Sequence, residues 1–338
     1  MSGRFSDSVS DGCPKSRDRA RTSRYLRSAR NLPRSRPMSL PRPVFPGAFY
    51  MITRRCTHRQ YLMRPDEATN NNFLYCLGEA AQRFGIVLIL SQMLSNHHHT
   101  TVYDPYGRIN EFTEHFHKMF AKSQNALRRR SENLWNSAPV CNVELVGVED
   151  VLDKLVYVAT NPVKDNLVDA VHHWPGPQTL PALLTGRKLT ARRPQHFFRK
   201  EGKMPATVEL TFEFPPSLGD PEHLRQELAS RIKAMERALA EKRFSENRRV
   251  LGRARVLRQH WLDTPAGQED RRSRDDIRPR VAALSKWDRI AALQRNKQFI
   301  NAYRKARDAW LRGLEAVFPA GTYWLRRFMN VPVAPLAA

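Results

Sequence analysis

The first half of the chain shows two kinds of hydrophobic pattern. Four short runs rich in apolar and β-branched residues are typical of strands: 48–56, 86–94, 97–103 and 141–146. Apolar residues that recur every three or four positions predict three helices: 66–84, 110–130 and 149–160. The order β-α-β-β-α-β plus a helix predicts an α+β fold of the ferredoxin-like type, an antiparallel sheet with helices on one face.

The second half begins with a basic, proline-containing stretch over residues 181–205 and then becomes mostly helical. Strict alternation over 207–214 predicts a strand that either extends the first domain or forms half of a hairpin. Asp220 suits an N-cap and Pro221 a first helical position, so a helix is predicted to begin there. Further helices are predicted at 250–261, 277–283 and 287–314.

These patterns divide the chain into five parts. Residues 1–45 are rich in Arg, Ser and Pro and lack any helical or strand period, which predicts a disordered basic tail. The other predicted parts are a first domain, a basic linker with an extra strand, a helical C-terminal domain and a short tail: 46–180, 181–218, 219–330 and 331–338.

Charge narrows the class of partner. The 338 residues include 57 Lys and Arg against 33 Asp and Glu, a formal net charge of +24, which indicates nucleic acid before an anionic membrane surface. No apolar run is long enough to span a bilayer, and no secretory signal is recognised, so we expect no membrane partner. The 4 cysteines form no CxxC pair and are expected to be reduced thiols, in a cytoplasmic, nucleoid-associated protein.

The segment Asn96-His97-His98-His99 is the first candidate for chemistry. Side chains alternate along a strand, so His97 and His99 share one face, about 7 Å apart by strand rise, and His98 faces the other way. Two imidazoles on one face can chelate a divalent ion. A pair of histidines held by ordinary hydrogen bonds is the alternative that the segment alone leaves open.

A second candidate is the pair Tyr157 and Asn161, which lie four positions apart and therefore on one face of a predicted helix. The tyrosine can serve as a nucleophile and the amide oxygen as a metal ligand. A tyrosine with its ring in the core and its hydroxyl at the edge is the alternative. Pro162 predicts that the pair lies at the helix end, and Asn166 suits a left-handed conformation after it.

Taken together, these segments resemble the single-tyrosine HUH transposases, most closely their REP-associated branch. The resemblance covers residues 47–180 and rests on three motifs in the family's order: YMITRRCTHRQYLMRPD from Tyr50, Asn96-His97-His98-His99, and YVATNPVKDNLVDAVHHWPG from Tyr157. Two features depart from the family pattern. His98 stands where an apolar residue is usual, and Thr100 and Thr101 are polar for a buried strand.

The resemblance implies a nuclease that cuts and rejoins single-stranded or hairpin DNA. Tyr157 would form a 5′-phosphotyrosine intermediate, and a divalent metal, Mg²⁺ or Mn²⁺, would be held by His97, His99 and Asn161. Charge and stacking predict DNA contacts from these residues: Arg54, Arg55, Arg59, Arg64, Arg128, Arg129, Arg192, Arg193, Phe197 and Phe198. A second copy of the chain, forming a homodimer, is a further candidate partner.

Two other functions remain open from the sequence. The departures at His98, Thr100 and Thr101 suit a domesticated DNA- or RNA-binding protein that has lost catalysis. A metal-dependent hydrolase that uses water, with Tyr157 in the core, is the third. The fate of the 5′ phosphate distinguishes all three.

Overall fold

The computed structural model describes residues 41–177, 179–266 and 280–336. Most of the predicted N-terminal tail and the start of the helix predicted at 277–283 therefore lie outside the described residues. The chain forms two compact units. One runs from Phe45 to Leu293, and the other combines the described residues up to Val44 with those from Gln294 onward.

A mixed five-stranded sheet is the centre of the first unit. Its strands, with order β2-β3-β1-β4-β7, are β1 Ala48–Arg55, β2 Val87–Met93, β3 His97–Asp104, β4 Cys141–Leu145 and β7 Val281–Ala282. The first four pair antiparallel, as predicted, whereas β7 pairs parallel to β4. The expectation of a purely antiparallel sheet is therefore wrong at that one edge, because a segment remote in sequence adds the last strand.

A hairpin extends this unit beside the sheet. Its strands are β5 Leu189–Arg192 and β6 Thr207–Leu210. Past β6, Phe212 forms a parallel bridge with Leu88 of β2. The segment predicted as one strand over 207–214 thus both forms a hairpin and joins the first domain, the two alternatives that its alternation left open.

The described residues form eight α-helices, and those of the first unit that pack on the sheet lie on both of its faces. Their bounds are α1 Glu67–Phe84, α2 Ile109–Leu127, α3 Val148–Lys164, α4 Thr179–Thr185, α5 Pro221–Ser245, α6 Arg253–Arg258, α7 Lys286–Leu311 and α8 Trp324–Met329. Phe73 of α1 and Phe116 of α2 both contact His98, so the two helices of the β-α-β-β-α-β order share one face, as predicted. On the opposite face, Tyr157 of α3 contacts His99.

Local sequence signals explain how two of these helices begin. The Asp66 carboxylate accepts a hydrogen bond from the Thr69 backbone N–H and caps α1, and Asp220 caps α5 ahead of Pro221. No helix in the described ranges has the length and apolar character needed to cross a membrane.

Three predicted elements differ from the structure. Helix α3 continues two residues past Pro162, so the Tyr157–Asn161 pair lies within the helix, and Asn166 then takes the left-handed conformation, with φ of 54°. The helix predicted at 250–261 is only α6, because the backbone N–H groups of Leu251 and Gly252 bond outside it, to Asn166 and Leu167. The described end of the stretch 277–283 contains β7 instead of a helix.

The second unit has its own small core. Phe318 is fully buried there and lies against Tyr303 of α7, with ring centroids 5.4 Å apart. Phe318 also pairs with Val333 in a parallel bridge, so the segment after α8 packs onto this core.

Candidate active site

The turn between β2 and β3 brings two histidines to one face of the sheet. The Leu94 N–H donates to the carbonyl of His97 across the turn, and β3 begins at His97. The rings of His97 and His99 then lie with their centroids 4.9 Å apart, at 83° to each other. The predicted pairing of these imidazoles is therefore present in the geometry.

Asn96 fixes the protonation of the His97 ring. Its side-chain amide donates from Nδ2 to the carbonyl of Arg59, 3.2 Å away, so its Oδ1 must face His97. That oxygen lies 2.7 Å from His97 Nδ1 and can only accept, which places the ring proton on Nδ1. The lone pair of Nε2 is left for another ligand.

Thr53 holds the orientation of the His99 ring, and its hydroxyl can accept a hydrogen bond from Nδ1. These residues are direct partners across β1 and β3, and the Thr53 hydroxyl lies 2.8 Å from His99 Nδ1. His99 is 5% exposed, and its Nε2 is buried without a hydrogen-bond partner among the described residues. This atom is thus placed for a ligand that the chain itself does not supply.

Helix α3 adds a phenol and an amide to the same side of the sheet. The rings of Tyr157 and His99 have centroids 5.4 Å apart, and the Lys164 ammonium lies 5.1 Å from the Tyr157 ring centroid. One turn after Tyr157, the Asn161 side chain is 4% exposed, and its Oδ1 has no hydrogen-bond partner in the described part of the chain.

Burial keeps both imidazoles neutral. Burial, with a smaller contribution from Arg55, lowers the pKa of His99 to about 3. Burial and then the neighbouring His99 lower the pKa of His97 well below its ordinary value. Each ring therefore carries a lone pair at neutral pH, which is the form that binds metal ions.

The donor atoms on this face are chemically suited to a divalent cation. The neutral imidazoles of His97 and His99 and the buried oxygen of Asn161 supply nitrogen and oxygen ligands. Across the described ranges, no group of three His, Cys, Asp or Glu residues is arranged to hold a metal. Any ion bound here would therefore depend on two histidines and the amide.

His98, the unusual residue of the motif, belongs to the opposite face. It is fully buried, its Nε2 lies 2.9 Å from Nε2 of His117, and its Nδ1 lies 3.0 Å from the Thr100 hydroxyl. The Thr100 hydroxyl also contacts the Ser91 hydroxyl at 2.8 Å. Two of the polar residues that depart from the motif pattern, His98 and Thr100, thus bond to each other inside the core. The third, Thr101, lies on the face of His99, and its hydroxyl is buried without a partner among the described residues.

The arginines of the first motif differ in their exposure and in the groups that they contact. Arg55 is exposed and pairs across the sheet with His97, so it lies on the candidate site's face. Arg54 points to the other face, with its guanidinium 5.9 Å from the Trp135 ring centroid. Half-buried Arg59 contributes its carbonyl to the Asn96 contact.

Asp66 forms ion pairs with two more of the residues predicted to contact DNA. Arg64 Nη2 lies 3.1 Å and Arg128 Nη2 lies 2.7 Å from Asp66 Oδ2. Arg129, the next residue, is exposed. Two of these arginines therefore stabilise the fold around the α1 N-terminus, and Arg129 presents its charge to solvent.

The basic stretch over residues 181–205 runs from α4 through β5 into the loop between β5 and β6. Arg192 is exposed, and Arg193 donates to the carbonyls of Met204 and Lys200. Phe198 is buried, with its ring centroid 5.3 Å from that of Tyr75, so the base stacking predicted for it is not available in this structure. Half-buried Phe197 packs on Phe198.

A segment that the sequence did not single out lies beside the His97 turn. Gln259 accepts from Arg64 through its carbonyl and from the Ser95 hydroxyl through its side chain. Next to it, the rings of His260 and Trp261 stack with centroids 5.3 Å apart, and the Arg130 guanidinium lies 5.9 Å from the Trp261 ring. These aromatic and cationic groups resemble a base-stacking surface.

Comparisons with known proteins place these features beside distant structural relatives. No protein-family model matches the chain, and no curated protein matches it. A REP-associated tyrosine transposase, solved bound to a REP hairpin, is 15% identical with a TM-score of 0.38 and is aligned over 50% of this chain and 95% of its own. A putative transposase from Deinococcus radiodurans R1 is 16% identical with a TM-score of 0.24, over 31% of this chain and 85% of its own. With both TM-scores below 0.5, these two likenesses are distant structural resemblances, and no conclusion about the activity of this chain is drawn from them.

Proposed function

We propose that this protein is a single-tyrosine DNA nuclease and strand transferase of the HUH type, acting on single-stranded or hairpin DNA. The observation that carries the proposal is the meeting of His97, His99 and Tyr157 on one face of the sheet. The buried, unpartnered atoms of His99 and Asn161 beside them support a ligand-binding role. The net charge of +24 supports a polyanionic substrate.

In this mechanism the Tyr157 hydroxyl is the nucleophile. Its oxygen attacks the scissile phosphorus and forms a bond to the 5′ phosphate, while the bond to the 3′ oxygen breaks. The phenolic proton is lost to solvent, and the released 3′ oxygen takes up a proton. Since the phosphotyrosine retains the ester bond, the 3′ hydroxyl can reverse the reaction without ATP.

The other residues hold the reacting groups in place. His97, His99 and Asn161 would hold the divalent metal, Mg²⁺ or Mn²⁺, which when bound supplies positive charge to a phosphate oxygen. Asn96 and Thr53 orient the two imidazoles through their Nδ1 atoms. Lys164 adds a positive charge near the phenol as it becomes an ester.

A denaturing gel tests this function directly. The full chain is incubated with hairpin oligonucleotides from the DNA that flanks its gene, with Mn²⁺, Mg²⁺ or EDTA. We expect a covalent protein–DNA adduct that forms only with metal. Cleaved DNA without an adduct would instead indicate a hydrolase that uses water.

A second candidate function is nucleic-acid binding without catalysis. It is favoured by the donor set, because the described residues contain no group of three His, Cys, Asp or Glu residues suited to a metal. This function predicts salt-sensitive binding to the same hairpins, with neither cleavage nor adduct in either metal.

A further inference from the structure

Gln92 lies beside the candidate metal ligands but outside every motif described above. It is the direct partner of His99 across β2 and β3, just as Thr53 is its partner across β1 and β3. Residues directly opposite in an antiparallel pair point to the same face. Thr53, His99 and Gln92 therefore form one row on the face that α3 covers.

The Gln92 amide nitrogen is buried without a partner among the described residues. The residue is 6% exposed, and its Nε2 makes no hydrogen bond within the residues that the structure describes. A buried amide left in this state destabilises the free protein. Each such group in a folded protein calls for an explanation, and a ligand that the chain itself does not supply is one.

The unpartnered atoms on this face have complementary chemistry. His99 Nε2 and Asn161 Oδ1 offer lone pairs, whereas Gln92 Nε2 offers N–H groups. A cation alone satisfies the lone pairs but repels the N–H donor. A phosphate oxygen beside a cation satisfies both kinds of group.

We propose that Gln92 is an anion-binding residue whose Nε2 donates a hydrogen bond to a nonbridging oxygen of the phosphate bound at the His97–His99–Asn161 site. This inference rests on the proposed function, since the phosphate is that of the DNA substrate. Such a donor strengthens substrate binding only when the phosphate sits next to the metal site. It adds nothing to the affinity for the metal itself.

Thr101 provides a matched control. Its hydroxyl is also buried without a partner in the described chain, and it lies two residues after His99 on the same face of β3. Gln92→Met and Thr101→Val each replace a buried polar group by an apolar one of similar size. Both variants are expected to melt at the wild-type temperature or slightly above, because each removes an unsatisfied group.

The test compares these variants in the full chain carrying Tyr157→Phe, which prevents cutting during titration. The affinity for a fluorescent flanking hairpin with a single-stranded 5′ extension is measured by anisotropy in Mn²⁺ and in EDTA. The metal-dependent gain is the ratio of hairpin affinity in Mn²⁺ to that in EDTA. Gln92→Met should reduce this gain about tenfold, because one hydrogen bond to a charged group is lost. Thr101→Val should keep the gain, and Mn²⁺ affinity measured by electron paramagnetic resonance should stay within about twofold in both.

Other outcomes overturn the assignment. An equal loss of affinity in Mn²⁺ and EDTA, or a lower melting temperature for Gln92→Met, would indicate a structural role. If the Tyr157→Phe chain with Gln92 intact bound the hairpin equally well in Mn²⁺ and EDTA, the proposed anion site would be contradicted. The proposed nicking activity can fail separately. If Gln92→Met reduces the metal-dependent gain in hairpin affinity but the chain that retains Tyr157 forms no adduct, only the nicking activity is contradicted.

Discussion

His99 and Tyr157 meet edge to face, with their ring planes inclined by 71°. One belongs to a strand and the other to the helix that crosses that face, so the contact joins the two sequence motifs into one site. Because His99 is held from its other side by Thr53, the phenol and the imidazole have a defined relative position.

Tyr157→Phe should abolish the covalent adduct while hairpin affinity stays within about twofold. Phenylalanine keeps the ring that packs on His99 but has no oxygen to attack phosphorus. A denaturing gel measures the adduct, and anisotropy measures binding. Tyr103→Phe, at the far end of β3, is the matched control and should retain the adduct. An adduct in the Tyr157→Phe chain would assign the nucleophile elsewhere.

Thr53→Val should weaken Mn²⁺ binding by roughly 10- to 100-fold, the usual effect of losing a residue that orients a metal ligand. Valine preserves the shape but cannot bond His99 Nδ1, so the ring loses its fixed orientation. Titration followed by electron paramagnetic resonance checks this. Unchanged Mn²⁺ affinity with normal folding would exclude Thr53 as a residue that orients His99 for metal binding.

Asp66→Asn should lower the free energy of unfolding by about 1 kcal/mol at pH 7. Asparagine still caps α1, but the ion pairs with Arg64 and Arg128 are lost. Burial alone would raise the pKa of the Asp66 carboxyl, but hydrogen bonds from Arg128 and Thr69 and the charge of Arg128 outweigh it and hold the pKa below its ordinary value.

The pH dependence of this effect follows from the lowered pKa. The pKa of an aspartate in the unfolded chain is about 3.9. The stabilisation that the Asp66 ion pairs provide is therefore complete above that pH, and it is lost as the pH falls through the lower pKa of Asp66 in the folded state. The difference in urea midpoint between wild type and Asp66→Asn should therefore shrink below about pH 4. A difference that stays constant down to pH 2 would contradict the ion-pair assignment.

Arg128→Ala should lower stability, whereas Arg129→Ala should not, although the residues are neighbours. Arg128 is engaged by Asp66 and Thr69, so its loss should destabilise the fold by about 1–2 kcal/mol. Arg129 is exposed, so its loss should leave the melting temperature unchanged. If Arg129 contacts a phosphate, the slope of log affinity against log salt should become shallower by about 0.7–0.9. If the slope of log affinity against log salt were the same for wild type and Arg129→Ala, the prediction that Arg129 contacts DNA would be wrong.

Local patterns were sufficient to predict the order of the first seven elements. Asp66 begins α1 and the Ser95–Asn96 turn separates β2 from β3, because capping and turn chemistry act over a few residues. The position of β7 was not predictable in this way. A strand of two residues has no period, and its partner β4 is remote in sequence.

The candidate site likewise has some features that the sequence predicts and others that it does not. That His97 and His99 share a face follows from strand alternation alone. The contributions of Thr53 and Gln92 depend on the register between strands, which the pattern of a single strand does not contain. The burial of Phe198 against Tyr75 likewise depends on tertiary packing, whereas its basic surroundings suggested exposure.

The two-residue strand β7 has a consequence for solubility. It covers the outer edge of β4, where the Glu144 N–H donates to the carbonyl of Arg280. A chain cut before residue 280 would leave that row of backbone donors and acceptors open to the strands of other molecules. Such a fragment would keep every proposed catalytic side chain and yet be expected to self-associate through β4, so this short segment protects the first unit from edge-to-edge aggregation.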